Sequence, residues 1–122
     1  MARTFEQDGF TVIVSREVDM DPDTSYLDQD YSDCTPEEQE QYKEQDRKRL
    51  AAYHRGEWYY VGVCVSIRKQ TASNWANGGL EVGRASVWGT ESDSDESHFE
   101  ELERDMVAEA FSEVNRLREA LV

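Results

Sequence analysis

The stretch from Trp58 to Ile67 constrains the fold more than any other. Tyr59, Val61, Val63, Val65 and Ile67 alternate with Trp58, Tyr60, Cys64 and Ser66, so apolar side chains occur at both parities. A strand facing water on one side needs only one apolar face, whereas this one has two. It is therefore expected in the interior of a sheet, covered on both sides near Trp58 and Tyr60.

The rest of the chain supplies partners for it. Leu80 to Trp88 reads as the second strand of a long hairpin, after a polar connection that holds Trp75 and the turn signal Asn77-Gly78-Gly79. Gly83 and Gly89 are read as a bulge and the strand end. Phe10 to Val18 alternates as a half-buried strand, with Phe10, Val12, Val14 and Val18 inward and Thr11, Ser15 and Glu17 outward. Ile13 breaks the strict alternation. Asp19 to Cys34 shows no helical period and is expected to be a long loop, pinned by Tyr26 and Tyr31.

Two helices are predicted. Thr35-Pro36-Glu37-Glu38 combines a capping threonine, a proline at the first helical position and a capping-box glutamate, so a helix should run from about Pro36 to His54 and close at Gly56. Its acids lie early and Arg47, Lys48, Arg49 and Arg55 lie late, in the sense the helix dipole favours. Its apolar stripe, Tyr42, Leu50, Ala51 and Tyr53, is narrow, which leaves most of it to solvent. The second helix is expected to start at a capping box formed by Ser97 and Glu100. Phe99, Leu102, Met106, Ala110, Val114, Leu117 and Leu121 then recur every three or four residues, a stripe suited to covering a sheet. The order strand, helix, strand, strand, helix predicts a two-layer α+β fold in which about three antiparallel strands are covered by a long C-terminal amphipathic helix. Residues 1–122 are read as one domain.

Charge narrows the classes of partner. Twenty-seven acids against 13 bases leave a net charge of −14. Such a surface repels phosphates, so direct nucleic-acid binding is excluded and a basic protein is the expected partner. Twelve acids lie between Glu17 and Asp46 against Lys43 alone, and eight between Glu91 and Asp105 against Arg104 alone. No apolar run approaches the roughly 20 residues that cross a bilayer, and the N-terminal stretch lacks the apolar centre of a secretory signal. A soluble protein of the cytoplasm is the resulting expectation. Cys34 and Cys64, with no Cys-x-x-Cys spacing, are read as free thiols.

Motifs for chemistry are scarce. Asp19, Asp21 and Asp23 imitate the opening of a calcium loop, but Thr24 stands where that loop needs glycine, Pro22 stiffens it and the twelfth position is Asp30 in place of glutamate. No metal and no cofactor is expected. Ser97 and His98 are adjacent and point apart on a helix, no Gly-x-Ser-x-Gly elbow accompanies them, and His54 suits the end of a helix dipole. The chain is therefore read as non-enzymatic. Trp58 and Trp88, on strands, are assigned to the core, and Trp75, in a polar connection, to partner contact.

A rigid array of carboxylates can imitate the phosphate track of duplex DNA. Asp21, Asp23, Asp28, Asp30, Asp33, Glu37, Glu38, Glu40, Glu44, Glu91, Asp93, Asp95 and Glu96, together with Trp75, form the candidate partner-binding set. The segments Glu57-Trp58-Tyr59-Tyr60-Val61-Gly62-Val63 and Val87-Trp88-Gly89-Thr90-Glu91-Ser92-Asp93-Ser94-Asp95, the second leading into an acidic helix, resemble small uncharacterised proteins of bacteriophages and mobile elements. The resemblance covers the C-terminal half. It implies a phage origin, in a group whose small acidic members often inhibit host defence such as restriction and CRISPR systems, some by mimicking DNA. Two functions are carried forward: an acidic inhibitor that occupies a nucleic-acid-binding site of a host defence protein or nuclease, and a structural or accessory phage protein acting by self-association.

Overall fold

The computed structural model describes residues 2–70 and 79–120. Its core is one antiparallel sheet of four strands, β1 (Ala2–Gln7), β2 (Phe10–Val18), β3 (Tyr60–Lys69) and β4 (Leu80–Glu91), side by side in chain order. Two helices, α1 (Pro36–His54) and α2 (Glu96–Ala120), complete an α+β fold, and a 3-10 turn spans Ser25–Leu27. Among the described residues no helix is long and apolar enough to cross a membrane.

The sheet has one strand more than the expected three. Strand β1 carries mostly exposed side chains, so no apolar alternation announces it. Its signal is the turn that follows: Asp8 and Gly9, with φ of 53° and 81°, make the two-residue hairpin connection favoured by the twist of paired strands. Phe5 then faces Val12 and Gln7 faces Phe10 across the ladder.

Strand β3 lies between β2 and β4 and is covered on both sides where expected. Val61, Val63, Val65 and Ile67 face α2, together with Phe10, Val12 and Val14 of β2 and Ala85 of β4. Phe99, Ala110 and Val114 of α2 close this layer. On the opposite side Trp58 and Tyr60 pack with Leu27 and with Leu50, Ala52 and Tyr53 of α1. Ala52, not Ala51, is the inward alanine, because at about 100° per residue Ala51 falls on the side of the helix opposite the face shared by Leu50, Ala52 and Tyr53.

Close approach between layers depends on Gly83. A Cβ there would lie 2.6 Å from the Ala110 carbonyl oxygen, so α2 can sit this near β4 only over glycine. The pairing slips by one residue between Ile67 and Arg68, which places the expected bulge next to Gly83. Gly89, read as the strand end, lies instead in a second irregularity, with φ of 85°, and β4 continues to Glu91. Trp88 is not a core residue: it is 47% exposed, and its ring lies over Gly62, where a Cβ would come within 2.1 Å of it.

The ends of the inward stripes are wet. Val18 and Leu117 are exposed, and every residue from 115 to 120 of α2 faces solvent. In their place Val107 and Phe111 pack against the core. Ser97 lies within the first turn of α2, whose opening amides of His98 and Phe99 donate to the Asp95 carbonyl at 3.0 and 3.3 Å. Helix α1 closes as predicted: Gly56, with φ of 77°, donates to Tyr53 O, and Glu57 donates to Ala52 O, the paired bonds of a Schellman motif.

Candidate functional site

The candidate carboxylates lie in two environments. The first is the segment from Asp19 through the first half of α1. Thr35 caps this helix, its hydroxyl accepting the Glu38 amide at 3.3 Å, and Gln39 donates to the Cys34 carbonyl at 3.0 Å. None of the 19 residues of α1 is buried. Glu37, Glu38 and Glu40 are exposed, as are Asp21, Asp23, Asp28, Asp30 and Asp33 before them, while Glu44 is half-buried and pairs with Arg47 at 2.8 Å.

The preceding loop is held to the body of the protein by its tyrosines. Tyr26 Oη lies 2.7 Å from Tyr60 Oη and donates to Glu91 Oε2 at 3.2 Å, while Tyr31 donates to Asp46 and packs on Tyr42 at 5.3 Å between centroids. Burial and the Tyr60 contact raise the Tyr26 phenol well above its usual range, and the Asp46 contact raises that of Tyr31. Neither phenol ionises near neutral pH, so both act as hydrogen-bonding pins. Leu27 is buried beneath this loop.

Three loop aspartates fold it locally. Asp19, Asp23 and Asp30 accept the amides of Asp21, Ser25 and Ser32 at 3.1, 2.9 and 3.1 Å, each two residues ahead. The bonds from Ser25 lower the pKa of Asp23, so this turn favours the charged carboxylate. Among the described residues no three His, Cys, Asp or Glu side chains gather in a way that could hold a metal ion.

The second environment is the start of α2, and here arginines occupy the carboxylates. Arg49 donates from Nε to Glu91 at 2.8 Å and from Nη1 and Nη2 to Asp93 at 2.7 and 2.6 Å; Nη2 also meets Glu91. Its guanidinium lies 3.9 Å from the centre of the Trp58 ring, and Trp58 Nε1 donates back to the Arg49 carbonyl at 3.0 Å. Arg16 of β2 donates to both oxygens of Glu96 at 3.0 and 2.6 Å and to Glu103 at 3.3 Å, over the Phe99 ring. These contacts hold Asp93 and Glu96 below the usual carboxylate range and keep both arginines charged. Glu103, the one buried charged residue among the described residues, is compensated by Arg16 and by Arg3 at 3.9 Å.

The candidate set thus separates. Asp21, Asp23, Asp28, Asp30, Asp33, Glu37, Glu38 and Glu40 are presented to solvent. Glu91, Asp93 and Glu96 are engaged by Arg49 and Arg16, and Asp95 is exposed beside them. Trp75 lies outside the described residues. Sequence reasoning missed the two clamps, because their partners stand 42, 44, 80 and 87 positions apart and no local spacing marks them. Compared with protein families, with curated proteins and with solved structures, the chain matches none.

Proposed function

We propose that the chain is a non-enzymatic acidic binding protein that occupies a basic, nucleic-acid-binding site on another protein, as a phage-encoded mimic of DNA directed at a host defence protein or nuclease. The observation that supports this reading is α1: a 19-residue helix without one buried residue, whose exposed Glu37, Glu38 and Glu40 continue the exposed aspartates of the loop. A helix polar all round contributes little to a core, and its retention fits a role in display. Tyrosine pins and the Arg49 clamp give the array the rigidity that mimicry needs. Charge accelerates encounter, and desolvated aromatics at the contact supply lasting affinity.

The test is affinity capture from nuclease-treated bacterial lysate, eluted in steps of salt, with the bound proteins identified by mass spectrometry. A single DNA- or RNA-binding complex released at moderate salt is expected. Replacing Glu37, Glu38 and Glu40 together by lysine should abolish its capture, while the same change at Glu109, Glu113 and Glu119 on the exposed side of α2 should not. Equal losses would remove α1 as the contact.

The second reading, a structural or accessory protein acting by self-association, draws support from the sheet face opposite α2. There Ile13 is half-buried, with no helix packed above it among the described residues, and Trp88 is 47% exposed. Sedimentation distinguishes the two readings, since a salt-insensitive oligomer favours the second.

A further inference from the structure

Three of the 13 basic residues, Arg3, Arg104 and Arg118, line the cleft between β1 and α2. Its floor is apolar, formed by Phe5, Phe10, Val107 and Phe111, with the Phe10 and Phe111 rings edge to face at 6.1 Å. Arg3, Arg104 and Arg118 stand on its rim. The Arg3 guanidinium lies 5.1 Å from the Phe5 ring centre and that of Arg118 lies 4.9 Å from the Phe10 ring, on which Lys69 also rests at 5.3 Å. Asp8 is the single acid in the lining.

Several arginines are consumed by the surplus of acids: Arg16, Arg47, Arg49, Arg55 and Arg68 are ion-paired. Among the described residues Arg84, Arg104, Arg116 and Arg118 make no ion pair, and of these Arg118 is the one whose guanidinium lies over the aromatic floor. An uncompensated guanidinium above an aromatic floor is ready to take an anion from outside.

We propose that this cleft binds a small amphipathic monocarboxylate, its apolar body on the Phe5, Phe10 and Phe111 floor and its carboxylate on the Arg118 guanidinium above Phe10. The cleft volume of about 470 Å³ lies within the roughly 300–1,000 Å³ range of small-molecule sites. Apolar lining with a few cationic groups supplies affinity from the floor and selection of charge from the rim. A single negative charge fits better than a phosphate or polyanion, because the repulsion of the whole molecule grows with each added ligand charge. The site is separate from α1, so its fate and that of the acidic display are independent.

The test titrates the full chain, labelled with nitrogen-15, with decanoate and with decyltrimethylammonium, which share a tail and differ in the sign of the head. Decanoate is expected to shift the amide resonances of Phe5, Val107, Phe111 and Asn115 in a saturable manner and to leave those of α1 unmoved. Arg118→Glu should weaken it about tenfold, the scale of one charge-assisted contact. Arg116→Glu, at an exposed position outside the lining, should leave it unchanged. Arg118→Glu changes an exposed side chain, so a folded spectrum with binding lost supports the site. Equal binding of the two amphiphiles, shifts spread over other surfaces, unaltered affinity in Arg118→Glu, or no saturation by millimolar decanoate would overturn it.

Discussion

Both helices open with acidic residues, yet α2 buries Phe99, Glu103, Ala110 and Val114 against the sheet whereas α1 buries nothing. The difference lies in what each presents at helical spacing. In α2 an apolar residue recurs every three or four positions, and burying that stripe offsets the entropy of ordering the chain. In α1 glutamate, glutamine, lysine and arginine surround the axis, and Leu50, Ala52 and Tyr53 near its end touch the core, with Arg49 stacked on Trp58. The first helix is held by a cap, a Schellman motif, two tyrosines and the Arg49 clamp. Acidic sequence alone therefore does not define a display surface: around the start of α2 Glu91, Asp93, Glu96 and Glu103 meet Arg49 or Arg16 while Asp95, Glu100, Glu101 and Asp105 stay exposed, and in α1 Glu40 and Glu44 pair with Arg47 while Glu37 and Glu38 face solvent.

The contrast can be broken at several points. Phe99→Ala, which removes a buried ring under α2, should cost about 3–5 kcal/mol in urea unfolding; a loss no larger than that from Tyr42→Ala on α1 would contradict the division of roles. Gly83→Ala should cost about 1–3 kcal/mol by pushing α2 off β4, read from the same unfolding curves. For Arg49→Met the expected loss is about 1–2 kcal/mol, since the clamp is partly exposed and both carboxylates remain hydrated. Hydrogen exchange in that variant should quicken across α1 and leave α2 protected; uniform acceleration would mean that the helices form one cooperative unit.

A smaller effect is expected from pH. Asp93 and Glu96 have depressed folded-state pKa values, so their contribution is complete above the unfolded values, about 3.9 and 4.3, and disappears as pH falls through the folded ones. The stability gap between the wild-type chain and an Arg16→Met/Arg49→Met variant should narrow below about pH 4, and a gap constant from pH 7 to pH 3 would show that the clamps carry no charge-dependent stability. Least of all, Glu40→Gln on the outer side of α1 should change stability by no more than about 0.5 kcal/mol.

Much of the architecture is legible because local rules coincide. Thr35, Pro36 and Gly56 bound α1 as their chemistry requires, and the double-sided alternation of β3 identifies it as an interior strand. Strand β1 was missed because its residues have no apolar face to count, although Asp8-Gly9 carried the turn signal. Strand position does not reveal which face is covered, and this is why Trp88 departs from its core assignment: among the described residues α1 covers Trp58 and Tyr60 on the face opposite α2 but not Trp88, whose ring lies over Gly62. Of the candidate site, the acids of α1 and the loop were found with their exposure, whereas the engagement of Glu91, Asp93 and Glu96 was not.

What the sequence determined by itself is the period and the punctuation of the elements and the size of the charge surplus, since each depends on residues within a few positions of one another. Tertiary structure alone decided which acids face water and which face arginine, and it assembled the cationic cleft from Arg3, Arg104 and Arg118. The physical reason is range. Backbone preference and amphipathic period act over one or two turns, but a carboxylate meets its partner only after the sheet has brought β2, α1 and α2 together across tens of residues.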